Sequence, residues 1–229
     1  MRISFLHTIE NNRRVFEHAA IESGLRPDDL RHAVRADLRE AVERAGTITS
    51  DIKAQTCGCL LELARNADAV VVTCATLGPA VDEMGNAPVP VVRADAALAA
   101  TAAEAAEAAR GGGKIAVLCA AEAAIESNRK LFTRYAEARG ASVEIVHVPQ
   151  VWALFRSGEM DACFAAIASA ATDAYSAGAS VVALAHPWMA PAADLASCSS
   201  EGKRPFDSAR AALDAAMLRV NQASASEQQ

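Results

Sequence analysis

Ala67-Asp68-Ala69-Val70-Val71-Val72-Thr73-Cys74 is echoed 112 positions later, without a gap, by Ala179-Ser180-Val181-Val182-Ala183-Leu184-Ala185-His186. The same offset lays Arg2-Ile3-Ser4-Phe5-Leu6-His7 over Lys114-Ile115-Ala116-Val117-Leu118-Cys119, Pro79 over Pro191 and Asp82 over Asp194. Each stretch is a short, nearly continuous apolar run, the pattern of a strand covered on both faces. One unbroken register through two strand pairs and the turn behind one of them implies two similar halves. Duplicated halves are expected to face each other across a shared cleft. The strand-end residues Cys74 and His186, and likewise His7 and Cys119, then occupy equivalent places.

Working outward, apolar runs alternate with helical stretches, as in βαβ units with a parallel sheet. Strands are predicted at 2–7, 31–35, 68–74, 89–92, 114–119, 142–148 and 180–185. Helices are predicted at 10–23, 37–45, 50–66, 78–84, 95–110, 123–139, 150–156, 159–177 and 191–196. Ser50-Asp51 suits a helix start, and Gly24, Gly140 and Gly111-Gly112-Gly113 suit helix ends. Phe206, Ala209, Leu213, Ala216, Met217 and Val220 make one apolar face of a last helix that returns to the first half. The fold class is α/β, with two pseudo-symmetric lobes, each a short, mostly parallel sheet flanked by helices. Lobe 1 takes residues 1–93 and 204–221, lobe 2 takes 94–203, and 222–229 form a polar, disordered tail.

Composition narrows the function. Of the 229 residues, 52% are hydrophobic, enough for an ample core. A net charge of −6 and a pI near 5.4 argue against nucleic acid or an anionic membrane as partner, since both need a basic face. The adjacent basic pairs, Arg13-Arg14 and Lys203-Arg204, read as solvated helix surface. No secretory segment forms after Met1-Arg2, and no apolar run approaches the ~20 residues of a membrane span, so the chain reads as cytoplasmic. Six cysteines on strands and helices suit reduced thiols. Cys57-Gly58-Cys59 lacks a second Cys or His pair at zinc spacing, and no metal is expected. No G-x-G-x-x-G follows a strand, and none of Lys53, Lys114, Lys130 and Lys203 stands at a strand's carboxyl end. Dinucleotide and pyridoxal phosphate are therefore not expected, and no cofactor is assigned.

Ligands of parallel α/β sheets bind beyond the carboxyl ends of the strands. Cys74 stands there, and Ala75-Thr76-Leu77-Gly78-Pro79 opens a helix behind it. Unpaired amides and the helix dipole would favour a thiolate or hold a carboxylate. His186 is the equivalent residue of the second half. His7 and Cys119 flank the same region, whereas His18, His32 and His147 have no such placement and read as surface or helix residues.

The run Val70-Val71-Val72-Thr73-Cys74-Ala75-Thr76-Leu77-Gly78-Pro79 resembles the first cysteine motif of the aspartate/glutamate/hydantoin racemase superfamily. Arg2-Ile3-Ser4-Phe5-Leu6-His7-Thr8 resembles its opening strand and substrate loop, and Lys114-Ile115-Ala116-Val117-Leu118 its mid-chain strand. The resemblance implies a cofactor-independent isomerase with two pseudo-symmetric lobes and a small carboxylate substrate. Members include amino-acid and hydantoin racemases, arylmalonate decarboxylases and maleate isomerases. His186 stands where the second cysteine is expected. Glu122, in the loop Ala120-Ala121-Glu122-Ala123-Ala124, argues against glutamate or aspartate as substrate.

The expected chemistry is proton transfer at the carbon next to a carboxylate. Cys74 as thiolate and His186 as imidazolium would exchange roles with direction, an unlike pair that predicts unequal turnover in the two directions. Ala75, Thr76, His7, Thr8, Cys119, Ala120 and Pro187 are the expected substrate contacts, the amides of Ala75 and Thr76 holding the enediolate. The alternatives are a single-cysteine decarboxylase or cis-trans isomerase using Cys74 alone, and an inactive protein that only binds small carboxylates. An apolar face near 95–110 would suit a homo-oligomer and equally suits packing within the chain.

Overall fold

Val70, Val71 and Val72 have no room for water on either side, and that burial sets the architecture. The computed structural model describes residues 1–109, 113–200 and 202–226. Gly111 and Gly112 of the expected glycine stop, and residues 227–229 of the expected tail, lie outside the described residues.

The chain runs β1 (Ile3–His7), α1 (Glu10–Glu22), β2 (Leu30–Val34), α2 (Ala36–Ala45), α3 (Ser50–Ala64), β3 (Ala69–Val72), α4 (Gly78–Asp82), β4 (Val91–Arg93) and α5 (Ala94–Glu107). It continues with β5 (Lys114–Cys119), α6 (Ile125–Glu137), β6 (Ser142–His147), α7 (Pro149–Ser157), α8 (Met160–Ser176), β7 (Val181–Leu184), α9 (Ala192–Ser199), β8 (Phe206–Asp207) and α10 (Ser208–Ser226). By internal packing these fall into two units, residues 1–97 with 209 onward, and residues 98–208.

The first unit holds a parallel sheet in the order β2-β1-β3-β4, the second a parallel sheet in the order β6-β5-β7-β8. The central strands β1, β3, β5 and β7 are buried almost throughout, whereas β2 and β6, at the edges, are only partly covered. Each fully buried Val, Ile or Leu contributes roughly 1.5–3 kcal/mol relative to an exposed one. Helices α5 and α10 bury alanines, Ala99, Ala102, Ala103 and Ala106 on one and Ala209, Ala212 and Ala216 on the other, all fully buried. Small side chains let a helix lie close to its neighbour.

The repeat is a repeat of hydrogen bonds. Ile3 pairs with Ala69, and Ile115 with Val181, the same register 112 residues apart. Thr73 N–H donates to the Leu6 carbonyl at 3.0 Å, as Ala185 N–H does to Leu118 at 3.0 Å. Cys74 caps a 3₁₀ turn at Ala75–Leu77, and His186 caps its counterpart at Pro187–Met189. Behind these turns each unit carries an arginine between two aspartates: Arg93 with Asp82 and Asp95, and Arg204 with Asp194 and Asp207. Gly24 and Gly140 both take positive φ after their helices, +85° and +66°, a conformation that a side chain would strain.

Three expectations change. Phe206, read as helical, lies in β8 and pairs with Ala183. A two-residue strand directly before a helix has no period to read. Residues 222–226, expected in the tail, continue α10. The cap of α3 is Thr49, whose hydroxyl accepts from Ile52 N–H, one residue ahead of the expected Ser50.

Gly78 shows how tightly the arginine is held. A Cβ there would lie 2.5 Å from Arg93 Cζ, and Arg93 is pinned by its two carboxylates. Gly78→Ala should therefore lower unfolding free energy by about 1–3 kcal/mol. In an Arg93→Ala background the same change should cost less than about 1 kcal/mol, because the obstacle is gone. Urea unfolding of the four proteins checks this; an equal cost in both backgrounds refutes the steric account.

Candidate active site

In the first unit, β1 delivers His7 beside Thr73, at the end of the neighbouring strand. His7 is wholly buried, with Nδ1 2.9 Å from Thr73 Oγ1 and Nε2 2.9 Å from His32 Nδ1. The Thr73 hydroxyl donates to the Leu6 carbonyl at 3.1 Å. Having one proton, it accepts from His7 Nδ1–H, and His7 Nε2 then accepts from His32 Nδ1–H. Burial lowers the His7 pKa to about 3, aided by His32 and Arg13, and burial with Arg13 also lowers that of His32. Both rings stack on Phe5, at 5.8 and 4.8 Å. His7, expected to touch substrate, has both nitrogens engaged inside the unit. His32, read as a surface or helix residue, lies in β2 and is part of this chain because it pairs in register with Phe5.

Cys74 is half-buried, against the cluster containing Leu38, Val72 and Leu77. Ala75 and Thr76 are exposed, and their amides precede the first bond of the turn, which runs from Leu77 N–H to the Cys74 carbonyl. The expected helix behind the thiol is a single 3₁₀ turn followed by the five-residue α4, so few peptide dipoles align there. What Cys74 has beside it is a pair of amides that precede the first bond of the turn. Thr8 and Asn12 are nearly fully buried, and Thr8 Oγ1 and Asn12 Oδ1 have no hydrogen-bond partner among the described residues. Cys57 and Cys59 turn to different partners, the Ala80 carbonyl and the Arg35 guanidinium.

In the second unit, β5 ends in Cys119, also wholly buried, and β7 leads into the half-buried His186. Cys119 Sγ lies 3.6 Å from His186 Nε2, 3.3 Å from the Ala121 carbonyl and 3.8 Å from Asn128 Nδ2. Burial raises the thiol pKa, against the opposing pull of the Ala121 and Asn128 contacts, and burial lowers that of His186 to about 4. The expected imidazolium is therefore a neutral imidazole at rest, because the enclosed ring lacks a compensating carboxylate. The His186 ring stacks on Trp188, centroids 5.5 Å apart, and Trp188 stacks on Phe155 at 4.3 Å, with Trp152 beside both. Pro187 has no N–H to offer, so the amide ahead of the turn's first bond is that of Trp188. Ala120 is buried next to the strand end, and Glu122 is exposed.

Each unit thus has an inner strand-end residue, His7 or Cys119, and an outer one, Cys74 or His186. The structure joins Cys119 to His186 and joins His7 to Thr73 and His32. Asn128, Thr73, His32 and Trp188 escaped the sequence reading. One signal was available for Asn128: it stands 116 residues after Asn12, the spacing that separates Gly24 from Gly140.

No family model matches the chain, and no curated protein does. Solved structures do. The aspartate racemase of Picrophilus torridus superposes with a TM-score of 0.69 at 11% identity, covering 96% of this chain and 94% of that one. The allantoin racemase of Klebsiella pneumoniae gives 0.66 at 15% identity, covering 97% and 89%. A glutamate racemase of Bacillus anthracis gives 0.63 at 14% identity, covering 99% and 81%. With two parallel four-stranded sheets in matching order, the chain shares the α/β fold of these aspartate, allantoin and glutamate racemases.

Proposed function

We propose that the chain is a racemase-type isomerase that moves a proton at the carbon next to a carboxylate of a small acid or amino acid, using Cys74 and His186. The observation that carries this reading is their equivalence: both stand at the start of the turn after the third strand of their unit, and both stay half-buried. The superposed structures are racemases of aspartate, allantoin and glutamate. The wall of Trp188, Phe155 and Trp152 beside His186 suits an uncharged substrate group better than a second carboxylate.

The neutral state of the His186 ring sets the sequence of events. Neutral His186 removes the α-proton, and the C–H electron pair spreads onto the carboxylate as an enediolate. The amides of Ala75 and Thr76 donate to its oxygens. The Cys74 thiol returns a proton to the opposite face of the carbon, leaving thiolate and imidazolium, which together catalyse the reverse reaction. The two states carry the same number of protons, so their ratio does not change with pH. The two enantiomers can differ in kcat and in KM, but an equilibrium constant of one makes kcat/KM equal.

Incubation in deuterated water with single-carboxylate amino acids tests the reading. The native protein should place deuterium on the α-carbon and interconvert the enantiomers. Cys74→Ser should abolish turnover of both, sparing slow exchange of the one enantiomer His186 can reach, and His186→Asn should give the mirror result. Tight binding of a carboxylate without exchange would overturn the proposal in favour of a binding protein. Activity surviving His186→Asn but lost in Cys74→Ser would mark a single-cysteine enzyme.

The acid limb follows from the depressed imidazole pKa. A base is lost when it gains a proton, so kcat/KM should hold level from pH 7 to about 5 and fall only as pH passes about 4. Initial rates, with circular dichroism to confirm the fold at each pH, check this. A midpoint near the ordinary histidine value of ~6.5 would refute a neutral, buried base.

A further inference from the structure

We infer that Cys119 is a positioning residue for His186: it accepts the Nε2–H of the ring, holds the imidazole in that tautomer, and leaves Nδ1 as the nitrogen that exchanges protons with substrate. The role of Nδ1 rests on the proposed function; the tautomer does not.

The protons around this one sulfur can be counted. A thiol has one. The nearest acceptor is the Ala121 carbonyl, 3.3 Å from Sγ, and a carbonyl can only accept. With S–H directed there, the 3.6 Å contact to His186 Nε2 is donated by the ring. The Ala121 carbonyl accepts from Ala124 N–H at 2.9 Å in either case, but turning S–H toward Nε2 would set a sulfur lone pair against that oxygen and make one hydrogen bond fewer. Asn128 completes the count. Its Nδ2 donates to the Ala124 carbonyl at 2.8 Å, which fixes the amide's orientation, and its second proton points to Sγ at 3.8 Å. The sulfur thus gives one bond and takes two.

The opposite nitrogen is in a different position. His186 Nδ1 has no hydrogen-bond partner among the described residues and is not one of the buried unpartnered atoms, so it is reachable. Stacking on Trp188, 9° from parallel, holds the ring plane. Burial keeps thiol and ring neutral, so a single tautomer can persist across neutral pH. In the first unit the arrangement cannot form. The inner residue there is His7, and both its nitrogens are already bound. A partner that binds one ring nitrogen sets the tautomer, and so decides which nitrogen can act as base.

Long-range ¹H–¹⁵N correlation on protein labelled in histidine reads the tautomer directly, the His186 signals being those absent from His186→Asn. At pH 7 the native protein should show a protonated Nε2 and an unprotonated Nδ1. Cys119→Ser, whose hydroxyl still accepts, should keep that pattern. Cys119→Ala should shift it to a mixture or to Nδ1–H and lower α-proton exchange by about tenfold or more, with KM little changed, as a mis-set tautomer does. A protonated Nδ1 in the native protein, or an unchanged tautomer in Cys119→Ala, overturns the inference. The native spectrum decides even if the alanine variant does not fold. If the tautomer is as expected but every substrate fails to exchange, the proposed function falls and the positioning role stands. If substrate exchanges but the tautomer is the other one, the positioning role falls and the proposed function stands.

Discussion

Parallel pairing of β1 with β3, and of β5 with β7, is the interaction on which the rest of the structure depends. These strands are sealed on both faces, so their sides can hold only apolar or fully bonded groups. Chemistry is pushed to the strand ends, and parallel pairing brings all carboxyl ends of a sheet to one edge. His7 and Thr73, like Cys119 and His186, are neighbours for that reason, although each pair is more than sixty residues apart in the chain.

Duplication then let two copies of one scaffold diverge at two positions. In the first unit the inner residue is an imidazole and the outer a thiol; in the second the types are exchanged. The consequences are unequal because the side chains differ in reach. An imidazole at the inner position spans from Thr73 to His32 and becomes part of the core. A thiol there is short, so its contacts are the Ala121 carbonyl, Asn128 and the outer histidine. The inner residue supports and the outer one is presented. The arginine between two aspartates stands in both copies, where it ties the last strand to the helix behind the turn that carries the outer residue.

Burial also explains the protonation states. Desolvation disfavours the charged form of either group, raising the thiol and lowering the imidazole. Facing each other in a dry environment, Cys119 and His186 are a neutral hydrogen-bonded pair and not an ion pair. The aromatic wall reinforces the effect by excluding water from the ring without supplying charge.

Much of this was legible along the chain. The unbroken offset between Val70-Val71-Val72 and Val182-Ala183-Leu184 determined the duplicated α/β fold, its parallel strands and the equivalence of Cys74 with His186, because strand formation and register follow from local apolar runs and their spacing. Phe206-Asp207 was missed because a strand so short has no pattern until β7 stands beside it. The pairing of Cys119 with His186, the inward turn of His7 to His32 and the neutral state of both sites belong to tertiary structure alone. Hydrogen-bond partners and desolvation depend on which side chains from distant strands come within about 3–4 Å. No spacing in the sequence encodes that distance.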